Sequence, residues 1–216
     1  MCCIGKDLGR NGDGIRRKLI CLGDSLTFGA GVTRRDCWTS LVQRECGWTV
    51  VNRGISGDTT GGMLVRLQRD VLGPALEERR CGGDCRVLVM GGSNDIFFSG
   101  TDSQARGNMT AICHQLEAEG IFPVIGIPLP VDWSKAPEKW TGVVDFYQSA
   151  PRILAYNEWL RRFAASAGLV LVDFASDFLS VSGQVRHELF LDGIHPNLEG
   201  HREMARRLAK ELDKIY

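Results

Sequence analysis

The sequence contains no run of about 18 consecutive apolar residues, so no segment reads as a membrane-spanning helix. It carries no surplus of either charge. In 216 residues, 26 Lys and Arg face 26 Asp and Glu, which argues against a nucleic-acid partner, because such surfaces are basic. The opening residues MCCIGKDLGR lack the apolar centre of a secretory signal, so the expected location is the cytoplasm. There is no internal repeat and no low-complexity tract. Nucleotide fingerprints are missing too: Gly29-Ala30-Gly31 lacks a third glycine, and no G-x-x-x-x-G-K-S/T pattern occurs. His187-Glu188 has no second histidine at H-E-x-x-H spacing, which excludes that kind of zinc protease. Eight cysteines are present, but without a secretory signal they are expected as reduced thiols. Cys81 and Cys85, spaced C-x3-C, would be half of a zinc site with no second pair to complete it, so a loop with two thiols is expected.

What is present is an ordinary globular composition, 44% hydrophobic and 24% charged. At about 150 residues per domain, the length suits one domain. We expect a loose polar lead over residues 1–17 and a single domain over 18–216. Five short apolar runs, 18–22, 49–52, 86–90, 123–127 and 169–173, predict strands covered on both faces. Between them, apolar residues at helical spacing predict helices over 38–46, 62–72, 105–119, 150–167 and 198–215. This alternation predicts an α/β fold with a doubly wound parallel sheet, whose right-handed crossovers bring the C-terminal strand ends to one edge. Residues 128–149 break the rhythm, being longer than a usual connection and rich in proline and aromatics. They are expected either as an ordered surface loop or as a wall over a site at the strand ends, with Trp133 and Trp140 as candidate substrate contacts.

The residues with chemical potential cluster after strands. Ser25, in Gly23-Asp24-Ser25-Leu26, follows the first strand; it is a candidate nucleophile or simply a helix cap. It does not sit in a G-x-S-x-G elbow, since position 27 is Thr, which counts against an ordinary α/β-hydrolase. A serine nucleophile needs a base, and the base needs a partner that holds its tautomer. Asp192 and His195, three apart in Asp192-Gly193-Ile194-His195-Pro196, can meet in one turn and leave the far ring nitrogen for Ser25. Taken singly, they are a turn former and a residue at a helix entrance. Oxyanion donors are expected at Gly57, where the backbone N–H can approach a ligand, and at Asn94, whose amide can donate. Both stand in Gly, Asn and Asp clusters that also serve plain turns. His114 and His201 fall on predicted helices and are expected as surface or packing residues.

In these blocks, Gly23-Asp24-Ser25-Leu26, Gly57 within Ile-Ser-Gly-Asp-Thr, Gly92-x-Asn94-Asp95 and Asp192-x-x-His195, the sequence resembles the SGNH hydrolases, also called G-D-S-L esterases and lipases. The second and last blocks look most like the bacterial thioesterase I/lysophospholipase branch. The resemblance implies Ser25 as nucleophile, His195 as base and Asp192 as its orienting partner. It implies an oxyanion hole from the Ser25 N–H, the Gly57 N–H and the Asn94 side chain. It also implies a three-layer, flavodoxin-like α/β/α fold with five parallel strands in the order 2-1-3-4-5, no metal and no cofactor. The expected activity is serine hydrolysis of acyl esters or thioesters of short to medium chain, with a small-molecule ester as the partner. A carbohydrate O-acetylesterase is the alternative among enzymes, and a non-catalytic ligand-binding module on the same fold is the alternative of another class.

Overall fold

In the computed structural model, residues 15–215 are described, apart from the side chains of Lys139 and Asp213. Residues 1–14 of the expected polar lead lie outside the described residues. Five strands, β1 (Arg17–Gly23), β2 (Thr49–Gly54), β3 (Asp84–Met90), β4 (Pro123–Gly126) and β5 (Val170–Val172), form one parallel sheet in the order β2-β1-β3-β4-β5.

The inner strands β1, β3 and β4 bury both of their faces, as their apolar runs require, while the edge strands β2 and β5 are mostly half-buried. Ile20, Leu22, Val87, Val89 and Ile125 point into one core, and Leu19, Cys21, Leu88, Met90 and Val124 into the other. The first core is closed by α3 (Thr60–Leu67), α4 (Gly73–Arg80), α6 (Ser103–Ala118) and α7 (Phe146–Ala167) through residues such as Met63, Ala75, Met109 and Ile153. The second is closed by α2 (Trp38–Cys46) and α8 (Leu198–Ile215) through Trp38, Val42, Met204 and Leu208. Two short helices, α1 (Ser25–Phe28) and α5 (Ser93–Ser99), sit directly on the C-terminal ends of β1 and β3. The chain leaves β1 for β2 on one side of the sheet and leaves β3 for β4 on the other. At such a reversal the two outgoing loops diverge and open a crevice, where ligands of α/β sheets bind.

The predicted and observed elements differ in three places. The helix predicted over 150–167 begins at Phe146, because the Asp145 side chain accepts from the Gln148 N–H and caps it, while Pro151 is tolerated inside. The pattern expected to stop at residue 72 continues instead. A wide turn over Gln68–Leu72 carries the chain into α4, with a proline in its first turn, where no donor is needed. Third, α1 and α5 were not expected, since four and seven residues are too few to show a period. The long segment after β4 is less loop-like than its composition: residues 128–132 are buried, and single turns follow at Trp133–Lys135 and Glu138–Trp140. The six cysteines among the described residues are thiols.

β2 and α1 touch backbone to backbone at Gly54. A Cβ there would collide with the Phe28 backbone nitrogen and lie 2.6 Å from its Cα. No rotamer change relieves a clash with main chain, so Gly54→Ala should force α1 away from the sheet and destabilise by about 1–3 kcal/mol. Chemical denaturation is the check, and an unchanged midpoint would mean that the contact yields freely.

Candidate active site

The site starts where β1 stops. Asp24 is buried, and its Oδ1 accepts the Leu26 N–H at 2.9 Å, which starts α1 and sets Ser25 at its first position. Burial pushes the Asp24 carboxyl up to about 7, against the pull of the Leu26 N–H and of His195.

Asp192 and His195 come from the loop before α8. Asp192 Oδ1 accepts the backbone N–H groups of Ile194 (3.1 Å) and His195 (2.8 Å), so the side chain itself folds the turn. The Leu191 N–H to His195 carbonyl bond at 2.8 Å closes it. The same carboxylate presents Oδ2 to His195 Nδ1 at 2.9 Å, and His195 Nε2 lies 3.0 Å from Ser25 Oγ. Burial pushes the Asp192 carboxyl up, but hydrogen bonds from the His195 ring, its backbone N–H and that of Ile194 outweigh it and hold the group below the usual carboxylate range. An ionised Asp192 accepts from Nδ1–H, so Nε2 is left to accept from the Ser25 hydroxyl.

The opposite wall holds the other two expected residues. Gly57 occupies the left-handed region at φ +78°, and a Cβ there would meet nothing within 4 Å, so backbone angle rather than crowding calls for glycine. Asn94, in the first turn of α5, is buried and donates one amide hydrogen to the Asp58 carbonyl at 2.9 Å. Its second amide hydrogen remains for the cavity. Next to it, Asp95 accepts from the Thr60 N–H (2.9 Å) and hydroxyl (2.6 Å), which fastens α5 to α3.

Ser25, His195, Gly57 and Asn94 line one cavity of about 220 Å³. Its remaining wall is mainly apolar, with Phe98, Leu129, Val131 and Trp140. Trp133, the other tryptophan expected at the substrate, lies outside this cavity, its ring edge-on to Tyr147 at 5.1 Å between centroids. It stands in the turn ahead of Trp140 and is half exposed.

The burial of Asp24 and the pairing of His187 with Asp132 were not legible in the sequence, whereas His201 is a packing residue, as expected. His201, on α8, is fully buried, its Nδ1 facing the Trp38 N–H at 3.4 Å, and burial first and the charge of His195 second push its pKa down to about 4. His187 Nδ1 meets Asp132 Oδ2 at 2.5 Å, and Ser134 Oγ donates to Asp132 Oδ1 at 2.6 Å. This pair joins the segment after β4 to the loop that leads to His195. Its members stand 55 residues apart, so no local pattern announces it.

Residues 21–203 match the GDSL-like Lipase/Acylhydrolase family. Esterase TesA of Pseudomonas aeruginosa is 30% identical over 189 residues, covering 83% of this chain and 80% of that protein. Thioesterase 1/protease 1/lysophospholipase L1 of Escherichia coli is 26% identical over 202 residues, covering 91% and 84%. Among solved structures, the native aryl esterase of M. smegmatis superposes with a TM-score of 0.74 at 18% identity, covering 93% of this chain and all of that one, which speaks for the fold.

The raised pKa of Asp24 carries a sign. Between its ordinary value and about 7, the folded protein holds a proton that the unfolded chain has released. That stabilisation is full at low pH and is lost as pH rises through about 7. Asp24→Asn keeps an acceptor for Leu26 and cannot ionise. Melting curves should therefore show wild type losing Tm relative to the variant as pH rises from roughly 4 to about 7, with the difference constant above that. Parallel curves would place the proton elsewhere.

Proposed function

The chain belongs to the GDSL-like lipase/acylhydrolase family and is a carboxylic ester hydrolase, and from that premise we propose that it cleaves acyl esters or thioesters of short to medium chain through an acyl-enzyme on Ser25. The observation that carries this reading is the unbroken hydrogen-bond chain from Asp192 through His195 to Ser25, opening into an apolar cavity. Ser25 Oγ attacks the ester carbonyl while His195 Nε2 takes its proton. Asp192 fixes the ring tautomer and stabilises the imidazolium. The developing oxyanion is received by the Ser25 and Gly57 N–H groups and the free amide hydrogen of Asn94. His195 returns the proton to the leaving group, and water repeats the sequence on the acyl-enzyme.

The cavity supports acyl over sugar substrates. Its volume of about 220 Å³ is below the ~300–1,000 Å³ of sites that enclose drug-sized ligands. Phe98, Leu129, Val131 and Trp140 offer apolar surface rather than the hydrogen bonds a carbohydrate needs. The names of the two relatives, an esterase and a thioesterase/lysophospholipase, point the same way. No helix among the described residues is long and apolar enough to cross a membrane, and the proposed partner is a small ester.

Ser25→Ala should lower kcat on a short-chain p-nitrophenyl ester by at least about 10³-fold, with the circular dichroism unchanged. Retention of more than roughly a tenth of the activity would remove Ser25 from the nucleophile's role.

Trp140→Ala tests the wall. Each buried methylene is worth about 0.8 kcal/mol, so kcat/KM for an octanoyl ester should fall by roughly 10-fold while that for an acetyl ester holds. An unchanged chain-length profile would assign the acyl chain to another surface.

A further inference from the structure

Beneath the cavity lies a buried cation that takes no part in the chemistry described above. Arg66, on α3, is 7% exposed. Its Nη2 donates to the Gly23 carbonyl at 3.0 Å, its Nε to Asp58 Oδ2 at 2.8 Å, and its Nη1 to Asp70 Oδ2 at 3.2 Å. Taking a guanidinium out of water is unfavourable unless its donors are met, and here each of its nitrogens has an acceptor.

The targets define the role. Gly23 is the last residue of β1, two positions before Ser25. Asp58 follows Gly57 directly, and its backbone carbonyl holds the Asn94 amide at 2.9 Å. One rigid fork thus connects the chain ahead of Ser25 to the residue between Gly57 and Asn94. Asp70 balances the charge from a turn further along the chain, through the i,i+4 pair. We propose that Arg66 is a positioning residue that sets the spacing of the three oxyanion donors, Ser25 N–H, Gly57 N–H and the Asn94 amide. The proposal rests on the oxyanion reading given above. Lysine cannot replace it, because a single ammonium point charge has no planar fork to span the Gly23 carbonyl and the Asp58 carboxylate at once.

A displaced oxyanion donor costs rate rather than affinity, because its bond strengthens as charge develops. Arg66→Met should therefore lower kcat on p-nitrophenyl acetate by about 10–100-fold with KM held within about 2-fold, and Arg66→Lys should recover only part of it. The deciding measurement is a double-mutant cycle with Asn94→Ala. If Arg66 acts through the Asn94 amide, the cost of Arg66→Met should shrink to less than about 3-fold once that amide is gone. Asp58→Ala removes the acceptor side of the same clamp, and the cycle is repeated with it so that poor folding of one variant does not leave the matter open. Strong coupling in the cycle supports the proposal. Additive losses, or a loss confined to KM, overturn it and leave Arg66 as general scaffolding. If Asn94→Ala alone leaves kcat unchanged, the oxyanion reading is what fails, and the positioning role falls with it.

Discussion

Everything at the site depends on the reversal of the sheet between β1 and β3. Neighbouring parallel strands whose chains depart in opposite directions leave a gap at their C-terminal ends that no crossover fills. Ser25 stands on the end of one of these strands and Asn94 on the end of the other. The sheet's hydrogen bonds hold these ends in fixed register, Gly23 opposite Met90. Ser25 and the Asn94 amide thus inherit their separation from the ladder, not from flexible loops. Precision of this kind matters because a shift of about 1 Å in a reacting group can cost two orders of magnitude in rate.

A polar layer lies between this edge and the apolar cores. Asp24, Asp95, Thr60 and Arg66 are all buried there. Burial of such groups is unfavourable unless their hydrogen bonds are met. Asp95 is met by Thr60 and Arg66 by three acceptors, while Asp24 accepts the Leu26 N–H and responds to its burial by favouring its proton. The helix α3 supplies much of this layer. It carries both Thr60 and Arg66, and so braces the end of β1, the Gly57–Asp58 turn and α5 from one side.

The five strands and five of the six longer helices, all but α4, were legible because apolar runs and amphipathic periods leave strong marks. The motif residues were legible for a related reason: strand ends are easy to find, and Ser25, Gly57 and Asn94 each follow one. Asp192 and His195 announce themselves by a spacing that one turn can close. Buried charge was not legible. An arginine on a helix looks in sequence like part of a solvated face, and only the three-dimensional placement of Gly23, Asp58 and Asp70 around Arg66 distinguishes it from the ion-paired arginines on the surface of α8. The two prolines within helices are each accommodated locally: Pro74 stands in a first turn where no donor is required, and Pro151 is carried within a helix capped ahead of it. Trp133 and Trp140 could not be told apart from composition, and the fold separates them by a single turn.

The contact between Asp132 and the His195 loop has a consequence for how substrate preference can drift. The Asp132 N–H donates to the Gly193 carbonyl at 2.8 Å, and its carboxylate holds His187, so the stretch that continues into Val131 and Leu129 of the cavity wall is tied to the turn that carries His195. Cavity wall and His195 turn form one mechanical unit. Insertions or deletions after β4 that reshape the wall therefore also tug on the imidazole. Broad changes of acyl preference in this scaffold should come more readily from single side-chain exchanges at Phe98 or Trp140 than from remodelled backbone.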